Sequence, residues 1–266
     1  MYNFQFHRPT GLRQASNMMG KLEEAKILAG GQTLIPTMKL RLASPGNIVD
    51  LNALPELAGI ELKGRSIVIG AMTRHVDVAN SAVVKEHIPA LAYLAGLIGD
   101  PAVRHRGTIG GSIANNDPNA DYPAALLGLG ATIITNKRRI AADDFFQGMF
   151  TTALEEGEII TKVSFPIAKK AAYEKFKHPA SGFALVGVFV SKRGPDIRVA
   201  VTGAGSNGVF RVSSFEEALK KRFSPKSIEG LSVPASGMNS DIHASPEYRA
   251  HLVGVLARRA LAKATA

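Results

Sequence analysis

The stretch Ala29-Gly-Gly-Gln-Thr-Leu-Ile-Pro-Thr-Met-Lys-Leu-Arg-Leu-Ala43 places two adjacent glycines between apolar runs. Before the glycines, Glu24-Ala-Lys-Ile-Leu-Ala29 is a short apolar segment of the kind that forms a buried strand. After them, helical spacing continues to Ser44-Pro-Gly46, and Ile48-Val-Asp-Leu51 follows as a second strand. The order strand, glycine loop, helix and strand predicts a compact βαβ-like unit near the start of the chain.

The predicted helix of this unit carries its own start signals. Thr33 is a suitable N-cap, and Pro36 falls in the first turn, where a missing backbone N–H costs nothing. Leu34, Met38 and Leu42 recur at helical spacing and share one face. We therefore predict a helix over residues 33–43 with one apolar face.

A second glycine-rich stretch reads Gly107-Thr-Ile-Gly-Gly-Ser-Ile-Ala-Asn-Asn-Asp-Pro-Asn-Ala-Asp-Tyr-Pro123. Its glycines predict a loop, and Asn115-Asn-Asp-Pro-Asn119 predicts a turn after that loop. Asp121 is a suitable N-cap for the apolar helix that follows and reaches Leu129. We expect a loop, a turn and a buried helix in that order.

Apolar runs elsewhere predict a sheet with flanking helices, and then a change of architecture after Pro166. Strands are predicted at 66–70, 131–135 and 159–165, and helices at 73–79 and 88–95. Beyond Pro166, antiparallel strands are predicted at 172–177, 184–190 and 197–202, and helices at 215–220 and 246–264. A strand layer with helices on one side indicates a second α+β lobe that begins near residue 168.

The composition is that of a folded protein without cysteine. The 266 residues are 45% hydrophobic and 20% charged, with a mean hydropathy of +0.05, as in globular domains. Because there is no cysteine, the chain holds no disulfide, thiolate nucleophile or cysteine-bound iron–sulfur cluster. No apolar run approaches the roughly 18 residues of a membrane-spanning helix, and residues 1–15 lack a signal-peptide core. We expect a cytoplasmic protein without a membrane span.

The chain is strongly basic, with 32 Lys and Arg residues against 22 Asp and Glu residues and a net charge of +10. Such a charge suits nucleic acid, an acidic partner or a solvated surface. The basic residues form short scattered clusters, without the interleaved aromatic residues that single-strand binders use. Solvated helix faces and turns explain these clusters better, so we expect no nucleic-acid partner and keep that class as the non-enzymatic alternative.

The two glycine pairs can bind an anion through the backbone. Glycine lets N–H groups approach a ligand without a Cβ, and successive N–H groups in a turn form an anion-binding concavity. Hydroxyl residues stand beside both pairs, namely Thr33, Thr108 and Ser112. Each pair taken alone is better explained by a tight turn, but the two together favour a cradle for a pyrophosphate.

Both glycine stretches resemble the two FAD loops of the medium, flavin-binding subunit of the carbon monoxide dehydrogenase and xanthine dehydrogenase family. The opening Tyr2-Asn-Phe-Gln-Phe-His-Arg-Pro9, the strand Tyr173-Glu-Lys-Phe-Lys177 and the closing Ser245-Pro-Glu-Tyr-Arg249 with Arg258-Arg-Ala-Leu261 also resemble that family. The resemblance covers nearly the whole chain. It implies an α+β fold with a two-subdomain FAD-binding domain of the vanillyl-alcohol-oxidase/PCMH type over residues 1–167, divided near residue 53. A small C-terminal α+β domain of antiparallel sheet plus helices would follow over residues 168–266.

The resemblance implies an FAD site built from both stretches. In the first, the backbone and hydroxyl groups would wrap the pyrophosphate and neighbouring side chains would flank the flavin or adenine: Ala29, Gly30, Gly31, Gln32 and Thr33, with Lys26, Ile27, Leu28 and Leu34. In the second, five residues would hold the other side of the cofactor: Thr108, Ile109, Gly110, Gly111 and Ser112. Asn115 and Asp121 would contact the ribitol or ribose, where a carboxylate can accept hydrogen bonds from sugar hydroxyls.

Three residues outside these stretches are implied as well. Lys177 would place a cation near the isoalloxazine and stabilise negative charge on the reduced flavin. Phe183 stands where relatives often have tyrosine near the flavin ring. Phenylalanine can still stack on that ring, but it has no hydroxyl group to contact it. Ile160 would be an apolar contact on the adenine side, although burial in a strand also explains it. Ser112 stands where many relatives have asparagine, which shortens the reach of the polar side chain.

One further motif invites a different interpretation. Gly203-Ala-Gly-Ser-Asn-Gly208 matches G-x-G-x-x-G and follows a predicted strand. A dinucleotide fingerprint opens directly into a helix within a βαβ unit, whereas Val209-Phe-Arg-Val212 has an extended pattern here. We therefore predict a turn between strands at this position.

We expect an FAD-binding electron-transfer subunit of a molybdenum hydroxylase, most similar to the carbon monoxide dehydrogenase medium subunit. It would relay electrons from an iron–sulfur small subunit to an external acceptor, while a molybdopterin large subunit oxidises the substrate, in a dimer of heterotrimers. The complex would be cytoplasmic or peripheral at the inner membrane. We assign no catalytic residue to this chain, and its seven histidines show no metal-ligand spacing. A stand-alone FAD-dependent oxidoreductase and a xanthine dehydrogenase-type FAD subunit are the alternatives.

Overall fold

The computed structural model describes all residues from Met1 to Ala266, arranged around three main sheets. The first region contains β1 (Gln5–His7), α1 (Leu12–Met19), β2 (Ala25–Leu28), α2 (Leu34–Lys39) and β3 (Asn47–Asp50). Its three strands form a parallel sheet in the order β1-β3-β2. The βαβ-like unit predicted around the first glycine pair is confirmed.

Helix α2 is shorter than the sequence predicts. It ends at Lys39, and Arg41 adopts the left-handed backbone conformation with φ +60°, which ends the helical geometry. Thr33 occupies the N-cap position, but its side chain makes no capping hydrogen bond. Met38 is buried, whereas Leu42 is exposed. The prediction of a helix over 33–43 is therefore wrong at its C-terminal end, because the chain turns at Arg41.

The second region is a five-stranded antiparallel sheet covered by short helices. Its elements in chain order are β4 (Ile60–Lys63), β5 (Ser66–Gly70), α3 (His75–Asn80), α4 (Ala82–His87), α5 (Pro89–Gly96), α6 (Pro101–Arg106), α7 (Ile109–Asn115), α8 (Tyr122–Leu129), β6 (Thr132–Thr135), β7 (Arg139–Ala141), α9 (Ala142–Phe145), β8 (Phe146–Gly148), β9 (Thr151–Thr152) and β10 (Ile160–Pro166). The strand order is β4-β5-β10-β6-β7, while β8 and β9 form a separate pair. Every residue of α8 is buried, as its apolar sequence predicts.

The third region is a four-stranded antiparallel sheet with two helices. Its elements are β11 (Lys170–Lys177), β12 (Ala184–Arg193), β13 (Asp196–Thr202), β14 (Phe210–Arg211), α10 (Ser213–Lys221) and α11 (Pro246–Thr265), in the strand order β11-β12-β13-β14. The alternation of β12 sends Phe189 into the core of the second region, whereas Val188 packs in the core that contains Leu256 of α11. The predicted α+β lobe is confirmed, but its sheet is covered on both sides because α8 supplies the second cover.

The three sheets suggest where the domains divide. The sheet of the second region ends at Pro166, and the sheet of the third begins at Lys170. We propose a domain boundary near residue 167 and a division of the first domain near residue 53, where the parallel sheet gives way to the antiparallel one. No helix of the structure combines the length and apolar character needed to cross a membrane.

Candidate cofactor-binding site

The loop between β2 and α2 presents a row of unused backbone donors. None of the five N–H groups from Ala29 to Thr33 donates a hydrogen bond within the chain. Gly31 has φ +73°, a left-handed conformation that glycine adopts without a steric penalty. Gly30 is buried, and a buried N–H without an acceptor costs about 1–3 kcal/mol. A ligand with several acceptor oxygens would satisfy these donors.

The two glycine stretches lie in direct contact, although about 80 residues separate them. A Cβ built on Gly30 would overlap the backbone carbonyl oxygen of Arg106 and would come within 2.8 Å of the Cα of Gly107. A Cβ on Gly111 would lie 3.6 Å from the Cβ of Ala29. The prediction that both stretches belong to one place in the molecule agrees with this packing.

The second stretch is a helix rather than the predicted loop. Helix α7 begins at Ile109, and the hydroxyl oxygen of Thr108 caps it by accepting a hydrogen bond from the Gly111 N–H at 3.2 Å. The N–H groups of Ile109 and Gly110 donate to the carbonyls of Thr73 and Ala71, at 3.0 and 2.8 Å. The expectation that this glycine pair offers free backbone donors is therefore wrong. The Ser112 hydroxyl, which has no partner in the chain, remains available.

A buried histidine supports the second stretch from behind. The Nε2 atom of His75 lies 2.6 Å from the position that a Cβ on Gly107 would take, and the His75 N–H donates to the Gly107 carbonyl at 3.0 Å. Burial, together with the charge of Arg104, lowers the pKa of His75 to about 4. Its ring lies 5.4 Å from that of Tyr122, and both side chains have a buried polar atom without a hydrogen-bond partner. The sequence analysis did not single out this residue.

Asp121 joins the second and third regions. It does not cap α8 as predicted, because its carboxylate accepts instead from the Tyr173 hydroxyl at 2.5 Å and the Lys175 ammonium at 2.9 Å. Burial raises the pKa of Asp121, while the charges of Lys175 and Lys177 and the two hydrogen bonds oppose that rise. A carboxylate has further lone pairs, so its contact with a sugar hydroxyl stays a prediction.

Lys175 and Tyr173 are site residues that the sequence analysis missed. Alternate residues of a strand share a face, so Tyr173, Lys175 and Lys177 all project from the same side of β11. Lys175 is the buried cation of this row, and Lys177 is exposed. The sequence shows that these three residues alternate along the strand, but it does not show that Lys175 pairs with a carboxylate. That carboxylate belongs to Asp121, which is distant in the chain.

The two asparagines after α7 have different environments. Asn116 is buried in the left-handed conformation with φ +45°, and its side-chain amide donates to the carbonyls of Gly148 and Thr151 at 2.7 and 2.9 Å. Asn115 is half-buried, and its side chain has no hydrogen-bond partner in the chain. The side chain of Asn115, which was predicted to contact the cofactor, is thus available to bind a ligand, whereas Asn116 anchors the turn.

The remaining predicted contacts are spread over the surroundings of the two stretches. Lys26 is exposed on β2, whereas Ile27, Leu28 and Leu34 are half-buried. Ile160 is buried at the start of β10 and belongs to the core of the second region, so strand burial accounts for it without a ligand. Phe183 is half-exposed at the start of β12, after the turn that follows Lys177. Their contacts with a cofactor stay predictions.

The donor set of the first loop fits a dinucleotide. Pyrophosphate oxygens are acceptors only, and five consecutive N–H groups beside a glycine that tolerates no Cβ form a cradle of the kind they require. The rival G-x-G-x-x-G segment at 203–208 lies between β13 and β14, which pair antiparallel, so the prediction of a turn there is confirmed. The structure brings no three His, Asp or Glu residues together where they could hold a metal ion.

These features define a candidate dinucleotide-binding chain, and comparisons with known proteins give its family. Residues 2–168 match the family described as the FAD binding domain in molybdopterin dehydrogenase. The chain is 36% identical to the carbon monoxide dehydrogenase medium chain of Hydrogenophaga pseudoflava, over 97% of this chain and 96% of that one. It is 35% identical to the nicotine 6-hydroxylase medium subunit of Paenarthrobacter nicotinovorans, over 98% and 97%. The chain belongs to this family of FAD-binding subunits of molybdenum hydroxylases.

The fold supports the same assignment. The structure matches the solved carbon monoxide dehydrogenase of Hydrogenophaga pseudoflava with a TM-score of 0.88 at 35% sequence identity, covering 99% of this chain and 98% of that one. It matches quinoline 2-oxidoreductase from Pseudomonas putida with a TM-score of 0.84 at 26% identity. The family resemblance, the α+β fold of this class and the FAD cofactor expected from the sequence are confirmed.

Proposed function

We propose that this chain holds FAD in the loop at Ala29–Thr33 and passes electrons from an iron–sulfur subunit to an external acceptor. The row of five unused N–H groups carries this proposal, because successive free N–H groups in a loop form a concavity that binds a polyanionic ligand, and the N–H of the buried Gly30 has no acceptor within the chain. FAD, when bound, supplies the electron-carrying chemistry, and the protein binds and orients it and tunes its potential.

The residues of the site divide the work of holding the cofactor. The free N–H groups would bind the pyrophosphate, with the hydroxyls of Thr33 and Ser112 at its edges. Asn115, whose side chain is unpaired, would bind the sugar portion. Lys177 would present its exposed charge to the ring system, and Phe183 its aromatic face. The pair of Asp121 with Lys175 would fix the strand on which Lys177 stands.

The partners follow from what this chain lacks and from how its relatives are named. It has no cysteine, so a cysteine-bound iron–sulfur cluster has to be on another polypeptide. The relatives include medium chains and a protein named 6-hydroxypseudooxynicotine dehydrogenase complex subunit alpha. We propose an iron–sulfur small subunit and a molybdopterin large subunit as partners, in a dimer of heterotrimers in the cytoplasm. Substrate oxidation would take place on the large subunit.

Native mass spectrometry of the complex purified from its source tests this proposal. We expect three different polypeptides in equal numbers, with one FAD for each copy of this chain. A complex in which FAD is carried by another chain, or a chain that purifies with FAD and oxidises a substrate alone, would contradict the relay. The second outcome would favour a stand-alone FAD-dependent oxidoreductase.

A further inference from the structure

The connection between β11 and β12 is closed by hydrogen bonds among its own residues, and we call it the 178–183 turn. His178 donates its backbone N–H to the Phe183 carbonyl at 2.8 Å. The Nδ1 atom of its ring lies 3.3 and 3.2 Å from the backbone nitrogens of Ala180 and Ser181 and accepts from both N–H groups. His178 therefore organises the turn through its backbone and through its ring.

One hydrogen bond joins this turn to the rest of the chain. The Nε2 atom of His178 lies 3.2 Å from Nδ1 of His243, and the two rings meet edge to face with their centres 4.2 Å apart. No other hydrogen bond runs from the 178–183 turn to a residue outside it. Exposed connections of this kind move unless other contacts hold them. The position of the turn thus depends on the histidine pair.

The contacts of the two rings define where their protons are. Because Nδ1 of His178 accepts from N–H groups, the ring proton is on Nε2, and this N–H donates to His243. Nδ1 of His243 is the acceptor and carries no proton. A proton added to either Nδ1 atom removes one of these hydrogen bonds. The arrangement thus requires both rings to be neutral, and histidine is the side chain that gains its proton between about pH 8 and pH 5.

His243 stands on a segment that is fixed to the third region. Its backbone N–H donates to the Asp241 carboxylate at 2.9 Å, and the same carboxylate accepts from Arg249 at 2.6 Å. Arg249 is buried in α11 and also donates to a backbone carbonyl of β12. The charged groups beside the histidine pair are these two and Lys177, which precedes His178. The pair therefore attaches a mobile type of segment to a rigid one.

We propose that His178 is a positioning residue that holds the ring of Phe183 against the flavin through its hydrogen bond to His243. The proposal rests on the proposed function, in which Phe183 presents its aromatic face to the ring system. Phe183 is 47% exposed, so the turn rather than surrounding core fixes its place. A side chain that is held in advance loses less entropy when it stacks on a ligand. Protonation of the pair would release the ring.

Iodide quenching of the fluorescence of FAD bound to the full chain tests this proposal, because a flavin covered by Phe183 is shielded from iodide. We expect His243→Leu to raise the quenching constant about three-fold, the effect of one lost hydrogen bond, and Phe183→Ala to raise it at least as far. His243→Asn should keep the wild-type value, because its amide oxygen can accept in place of Nδ1. His251→Leu, at an exposed position of α11, is the matched control and should change nothing.

The pH profile separates a positioning role from a merely structural one. Between about pH 7.5 and pH 5.5 the quenching constant of the wild type should rise toward that of His243→Leu, because the histidine pair takes up protons. His243→Leu should change less over this range, since it has no such pair to lose. Iodide solutions are matched in ionic strength with chloride.

Two quenching results would overturn the inference: an unchanged constant in His243→Leu, or an equal rise in His243→Leu and His243→Asn. Hydrogen exchange of the 178–183 turn in the chain without FAD provides a second measurement. It should be about three-fold faster in His243→Leu than in the wild type, and equal rates would refute the attachment whether or not FAD binds. A wild-type chain that binds no FAD would refute the proposed function instead.

Discussion

Gly30 is the residue where the two halves of the cofactor site meet. Its missing side chain lets the loop that carries the free N–H groups rest on the backbone of Arg106 and Gly107. Any Cβ at this position would push the loop away from the second stretch, since backbone atoms cannot rotate aside as a flexible side chain does. The site thus requires both the free N–H donors and a residue without a Cβ at position 30.

We expect Gly30→Ala to weaken FAD binding by at least ten-fold, because the loop has to move from its place beside α7. This loss corresponds to at least about 1.4 kcal/mol. Titration of the purified chain with FAD, followed by flavin fluorescence, measures the Kd. Gly11→Ala is the control, because a Cβ there has open space around it. Equal affinities of the two variants would mean that the contact does not position the loop.

His75 makes stability depend on pH. Its pKa is about 4 in the folded chain and close to 6.5 when unfolded, so below pH 6.5 the unfolded chain binds the extra proton first. Folding stability should fall between pH 6.5 and 4, by about 2 kcal/mol from pH 7 to pH 5. Urea unfolding of the wild type and His75→Gln measures this. The variant should lose that part of the pH dependence, whereas the exposed His251→Gln control should keep it; parallel pH profiles would contradict the assignment.

Helix α7 shows where local patterns fail at the scale of an element. Two glycines disfavour a helix by about 1 kcal/mol each, so the sequence indicates a loop. The structure forms the helix because Thr108 caps it and the carbonyls of Thr73 and Ala71, more than 35 residues away, accept its first N–H groups. By contrast, the βαβ-like unit and the antiparallel strands rest on local spacing and were predictable.

The third region depends on an arginine beneath the G-x-G-x-x-G turn. Arg249 of α11 is buried and donates to the carbonyls of Leu185 and Gly203 at 2.8 and 2.9 Å, and to Asp241 at 2.6 Å. These bonds join the helix to the ends of β12 and β13. The G-x-G-x-x-G turn at 203–208 therefore binds a side chain of the protein itself, since the Gly203 carbonyl accepts a hydrogen bond from Arg249.

Replacement of Arg249 should lower the free energy of unfolding, although the residue lies near the C-terminus of the chain. We expect Arg249→Met to lower the free energy of unfolding by about 2–4 kcal/mol, because it removes the donor from two carbonyls at a buried position, those of Leu185 and Gly203. Arg259→Met, an exposed position of the same helix, should change it by less than about 0.5 kcal/mol. Denaturant unfolding compares the two, and similar losses would show that the buried contacts contribute little.

At the scale of the whole molecule, a buried ion pair fixes the third region against the second. Asp121 lies 54 residues from Lys175 in sequence, so no local pattern predicts their contact. The same holds for the approach of Gly30 to Arg106. The candidate loops were visible in the sequence as glycine pairs, but which donors remain free, and which cation is buried, depends on the packing of distant segments.

Lys175 and Lys177 should have separate roles, the first in the stability of the fold and the second in the reduction potential of the cofactor. We expect Lys175→Met to destabilise the fold by about 3–5 kcal/mol, because it leaves the Asp121 carboxylate buried without a counter-ion. Lys177→Met should change stability by less than about 0.5 kcal/mol and should lower the reduction potential of bound FAD. Thermal unfolding and a spectroscopic redox titration measure the two effects. Equal destabilisation by both changes would contradict this division of roles.

The stoichiometry of FAD binding by the purified full-length chain tests the central claim most directly. The row of free N–H groups at Ala29–Thr33 predicts saturable binding of one FAD per chain, with flavin absorbance that survives gel filtration. A chain that is folded by circular dichroism but shows no saturable FAD binding and no flavin absorbance would contradict the account.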